Sequence, residues 1–178
     1  MKKIVLILLL TTPIVGKAQT AYTSSISNNV PSISATASPS NPNNSIEVKV
    51  NNPLFFNYRT VDDLLQPQVV NNAFEIKLKA QQSANKVYAQ VNFTGKKHKA
   101  LPDGWVSLLL VNKTSTNAMA STAAVPLSEY PTLLLTQPTS VDNMEYYSFY
   151  YNVILNPLTQ HIRPDNYSFS ITFTMTQP

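Results

Sequence analysis

The strongest constraint on this chain is a strict period of two in its apolar residues. In residues 74–80 Phe, Ile, Leu and Ala alternate with Glu75, Lys77 and Lys79 at every position. Successive side chains of a strand point to opposite faces, so such a segment is half-buried, with one face on a core and the other in water. The same pattern recurs at Ile46, Val48 and Val50, at Leu54, Phe56 and Tyr58, and at Val87, Ala89, Val91 and Phe93. It returns at Tyr147, Phe149, Tyr151, Val153 and Leu155. It closes with Tyr167, Phe169, Ile171, Phe173 and Met175, interleaved with Ser168, Ser170, Thr172 and Thr174.

About seven such strands separated by polar turns predict an all-β fold. The expected architecture is an antiparallel immunoglobulin-like β-sandwich with one short helical turn. Residues 74–80 and 87–93 read as a hairpin. Residues 105–111 are more continuously apolar, as in a strand covered on both faces. The poorly periodic 115–138 reads as a long connection with a short strand near Leu133, Leu134 and Leu135. The helical turn is written at Thr60, where a capping hydroxyl is followed three residues later by Asp63; Val61, Leu64 and Leu65 supply its apolar side and Pro67 ends it.

The N-terminus divides the chain. Lys2 and Lys3 precede an unbroken apolar run over 4–10, and Gly16 and Ala18 put small residues at −3 and −1 of a cleavage site. This is the layout of a secretory signal peptide over residues 1–18, leaving Gln19 as the mature N-terminus. Pro13, Gly16 and Lys17 interrupt the run well short of the about 20 residues a spanning helix needs. Residues 19–44, rich in Ser, Asn and Pro, read as a flexible leader with an edge strand at 30–37, and 45–178 as the β-sandwich domain.

Charge excludes one class of partner. The formal net charge is +4, but three lysines leave with the leader, so the mature chain carries ten basic against nine acidic side chains. A nucleic-acid binder keeps a strong basic field on one face. Cysteine is absent, which excludes a lipid anchor built on that residue and suits a bacterial envelope protein better than a small disulfide-stapled module.

Motifs for chemistry are missing too. The three glycines, Gly16, Gly95 and Gly104, form neither a nucleophile elbow nor a phosphate-cradling loop. His98 and His161 fall in turn segments, and Asp62 and Asp63 read as the first turn of the helix rather than as calcium ligands. Asp103, Glu129, Asp142, Glu145 and Asp165 read as solvated loop charges. No catalytic residue, metal or cofactor is expected. Candidate partner or glycan contacts are the outward tyrosines Tyr146, Tyr150 and Tyr88, and the basic cluster Lys96, Lys97 and Lys99.

The signal peptide, the alternating 30–37 segment, the terminal strand over 167–175 and the Thr60-Val61-Asp62-Asp63 turn after a strand together resemble the pilin-like and adhesin-like β-sandwich proteins of the bacterial envelope. That resemblance implies a non-enzymatic structural or adhesive protein, exported to the periplasm, outer-membrane surface or medium. Its partners would be envelope proteins or further copies of itself. It also implies that an N-terminal segment, here 30–37, is lent to a neighbour by strand addition. The alternative is a carbohydrate-binding module that uses the outward tyrosines.

Overall fold

A computed structural model describes residues 21–27, 44–58, 60–80, 84–94, 102–138, 146–158 and 168–176. The alternating segment 74–80 belongs to a thirteen-residue strand, β3 (Gln68–Ala80). Around it, in chain order, lie β1 (Ala21–Ser27), β2 (Asn44–Val50), the single helical turn α1 (Val61–Leu64), β4 (Asn85–Thr94), β5 (Val106–Lys113), β6 (Met119–Ala120), β7 (Val125–Pro126), β8 (Thr132–Gln137), β9 (Tyr147–Leu155) and β10 (Ser168–Thr176). The described residues form two antiparallel sheets, in the orders β1-β10-β4-β8-β6 and β2-β3-β9-β5-β7. The all-β sandwich expected from the sequence is the observed fold.

Period two becomes burial without exception in β10, where Phe169, Ile171, Phe173 and Met175 are buried and the Ser and Thr between them are half-exposed. Phe74 holds the two inward faces together. It stacks on Tyr151 of its own sheet, with centroids 5.4 Å apart, and meets Phe173 of the other at 5.1 Å. A second aromatic seam runs from Trp105 through Phe93 and Phe169 to Phe56. Offset and tilted ring pairs of this kind add to the area they remove from water.

One connection differs from the reading of the sequence. Residues 74–80 and 87–93 do not form a hairpin, because β3 and β4 lie in opposite sheets. The chain therefore passes from one sheet to the other between them. Alternation specifies which side of a strand is buried but not which neighbour it pairs with, and both readings bury the same residues. Likewise only the start of β5 is covered on both faces: Trp105, Val106, Ser107 and Leu108 are buried, whereas Val111 is 48 % exposed. Within 19–44, expected as a flexible leader with an edge strand at 30–37, the structure has a strand, β1, at 21–27. The expected strand at 30–37 lies outside the described residues.

Local chemistry fixes the irregular points. At α1 the capping box forms as written: Asp63 N–H donates to Thr60 Oγ1 at 3.3 Å and Thr60 N–H to Asp63 Oδ2 at 2.9 Å. β3 is interrupted by a bulge between Val70 and Phe74, where Asn72 adopts φ 45°. Asparagine tolerates that left-handed conformation better than most residues. The bulge is clamped by Asn152 of β9, which accepts from the Asn72 N–H at 2.7 Å and donates to Asn71 Oδ1 at 3.0 Å. Gly104 (φ 77°) makes the turn into Trp105.

Tyr151 is a flaw in this core. Its hydroxyl is buried and finds no hydrogen-bond partner among the described residues, and burial pushes its pKa far above the ordinary tyrosine value. Tyr151→Phe should therefore raise the unfolding free energy at neutral pH by about 1 kcal/mol. The hydroxyl ionises more readily unfolded than folded, so the stability tied to it is complete below about pH 10 and is lost as pH rises further. Urea titrations at pH 7 and above pH 10 should show a fall in stability that is shallower in the variant.

Candidate functional site

The sandwich presents two outer faces of opposite character. On the β2-β3-β9 face the charges meet in cross-strand pairs. Glu47 stands opposite Lys77, and Lys49 opposite Glu75, the register that places unlike charges side by side. Glu75 and Lys77 in turn stand opposite Tyr150 and Ser148 of β9. Glu75 is 6 % exposed and accepts from the Ser148 hydroxyl at 2.6 Å, a charge-assisted hydrogen bond. The Ser148 backbone is tied on its other side by Thr114, whose hydroxyl accepts from Ser148 N–H at 2.8 Å.

Tyr146 and Tyr150 border this polar patch. Tyr150 is half-buried, Tyr146 is 42 % exposed, and the Lys79 ammonium sits over the Tyr146 ring at 5.7 Å from its centroid. Tyr150 lies four positions beyond Tyr146, about 13 Å of rise on one face.

Tyr88 does not join them. It lies on β4, in the other sheet, and stands opposite Thr174 of β10 on one side and Leu133 of β8 on the other. The three tyrosines therefore belong to two faces and make no common platform. Tyr88's own face is nearly free of charge. It carries Ser170, Thr172 and Thr174 on β10 and Gln90 and Asn92 on β4, with Asn92 Nδ2 donating to Thr172 Oγ1 at 3.4 Å. Lys96, Lys97 and Lys99 lie outside the described residues, as do His98, His161, Asp142, Glu145 and Asp165. Asp103 and Glu129 are exposed. Among the described residues no group of three His, Cys, Asp or Glu could hold a metal ion. The Glu75–Ser148 pair offers a carboxylate and a hydroxyl, and its geometry orders β9 against β3.

The sheet edges differ as sharply as the faces. The edge strands β6 and β7 are two residues long, and β7 contains Pro126. β2 is seven residues long but carries the exposed charges Glu47 and Lys49. β1 is equally long, with the sequence Ala-Tyr-Thr-Ser-Ser-Ile-Ser, and has neither charge nor proline. It pairs with β10 over seven residues, from Ala21 opposite Thr176 to Ser27 opposite Ser170. Sequence reasoning missed this strand because its alternation rests on Tyr22 and Ile26 alone, in a stretch whose composition reads as coil.

Comparison with known proteins adds no relative, since neither family models, nor curated protein sequences, nor solved structures give a match to this chain.

The Glu75–Ser148 bond can be tested directly. Ser148→Ala leaves the buried carboxylate one donor short and should lower the unfolding free energy by about 2 kcal/mol in a urea titration. Glu75→Gln, which keeps a hydrogen-bonding oxygen in place, should cost less.

Proposed function

We propose that the chain is an exported, non-enzymatic structural or adhesive protein of the cell envelope, a subunit that assembles by pairing of strands. The observation that carries this reading is β1, a long uncharged strand at a sheet edge, close behind the expected cleavage site. Exposed edges template pairing with other chains, and proteins that stay monomeric blunt them with short strands, charges or proline. Three of the four edges are blunted in those ways and β1 is not.

The strand order adds to this. β2, β3, β9 and β5 follow the A-B-E-D order of an immunoglobulin-type sandwich, and β4 and β10 take the C and F places. The place next to F, ordinarily that of the last strand, is taken by the N-terminal β1. A strand supplied from the far end of the sequence is suited to pairing between chains, which agrees with the pilin-like resemblance. Export rests on the layout of residues 1–18, and no helix among the described residues is long and apolar enough to cross a membrane.

Native mass of the protein, extracted gently from producing cells, tests the reading. The expected result is a multiple of the single-chain mass that falls to smaller species when residues 19–37 are deleted, with Gln19 as the first residue on N-terminal sequencing. A monomer of single-domain mass would overturn the subunit reading.

A second reading has its own support in the tyrosines. Tyr146 and Tyr150 on one face, with Ser148 between them and Lys77 opposite it, offer ring faces and polar groups to a glycan chain. On a glycan array, binding that disappears in both Tyr146→Ala and Tyr150→Ala would favour this reading.

A further inference from the structure

The unguarded edge has a geometry that selects its partner. We propose that β1 pairs antiparallel with β1 of a second copy of this chain, about a two-fold axis through Ser24, joining two five-stranded sheets into one of ten strands. This rests on the strand-pairing subunit reading and names its partner and register.

Symmetry leaves few choices. In one continuous sheet built about a two-fold axis perpendicular to it, a residue keeps its face in both copies. Directly opposed residues of an antiparallel pair share a face, so the two residue numbers must add to an even sum. Only the register centred on Ser24 uses all seven residues of β1. It sets Ser24 opposite Ser24, Thr23 opposite Ser25, Tyr22 opposite Ile26 and Ala21 opposite Ser27. Thr–Ser and aromatic–β-branched pairs are among those that stabilise antiparallel sheets. Registers centred on Thr23 or Ser25 keep five residues and lose the Tyr22–Ile26 pairs.

The other long edge gives the contrast. Full-length self-pairing of β2 would centre on Glu47 and oppose two carboxylates, and like charges directly opposite destabilise a sheet. Of the two seven-residue edges, β1 alone is self-complementary over its full length. Among the described residues no strand hydrogen-bonds to the edge of β1 away from β10, although β2 of the facing sheet runs close to it.

The protein contains no cysteine, so single cysteines report contacts without background. Mature chain carrying Ser24→Cys should form a disulfide-linked dimer on mild oxidation, since directly opposed strand residues lie within disulfide reach. Thr23→Cys alone should not, because its counterpart is a diagonal neighbour about 7–8 Å away. A mixture of Thr23→Cys chains with Ser25→Cys chains should give the mixed dimer. The double variant T23K/S25K, at positions opposite the half-exposed Thr174 and Thr172, should keep the β circular-dichroism spectrum. It should also raise the dimer dissociation constant about tenfold through two opposed lysine pairs.

An assembly that survives while Ser24→Cys fails to link would overturn the proposal but leave the subunit reading standing. So would one in which Thr23→Cys chains link instead to Thr174→Cys chains, the mark of β1 exchanged onto a neighbour's β10. A wild-type chain that is monomeric at every concentration would overturn both.

Discussion

The contact of Phe74 with Phe173 is the point on which the rest of the molecule turns. The two rings come from different sheets and meet at 5.1 Å, and each lies in a strand flanked on both sides by others. Burying a phenylalanine side chain contributes on the order of 2–3 kcal/mol, and here that contribution exists only if the sheets face one another in this register. A slip of β3 by one residue would turn Phe74, Ile76 and Leu78 to water and put Glu75, Lys77 and Lys79 against the aromatic seams. The register of β3 then constrains β9, which pairs with it through Tyr151 opposite Phe74. The register of β10 constrains β4 and β1 in the same way.

This explains why so much of the fold was legible and where legibility stopped. Strands whose inward residues are large, such as β3, β9 and β10, announce themselves because each second position must be apolar to reach the opposite sheet. The helical turn was legible for a different reason: Thr60 and Asp63 satisfy backbone donors within four residues, with no help from the rest of the chain. Pairing partners were not legible. β3 and β4 bury the same residues whether they meet edge to edge or face each other across the core, so periodicity could not separate a hairpin from two strands in opposite sheets. Nor could it find β1, whose order comes from the backbone template that β10 offers.

The candidate surfaces follow the same logic. Tyr146 and Tyr150 were correctly read as outward because Tyr147, Phe149 and Tyr151 fill the core. Which face Tyr88 shares depends on which sheet holds β4, and that is a matter of topology rather than of local pattern. Glu75 was visible as an outward charge, but its burial was not. It arises from Lys49 and Tyr150 standing on either side of it and from the Ser148 hydroxyl beneath one of its oxygens.

β10 is the strand with most to lose from an unpaired edge. It is nine residues long, without charge, and alternates Ser and Thr with large apolar residues, a composition that invites pairing with any free strand. β4 satisfies one side of it and β1 the other. The hazard is thereby moved outward onto β1 rather than removed, because β1 has no charge or proline to end the sequence of strands. A sheet that continues in this way has two stable ends open to it: a guard strand, or another copy of itself. The β2-β3-β9-β5-β7 sheet takes the first course at both edges, with Glu47 and Lys49 on one and a two-residue strand on the other. Among the described residues the sheet that holds β10 does so only at β6. That asymmetry between the two sheets, as the described residues form them, is the feature on which the proposed pairing at the β1 edge rests.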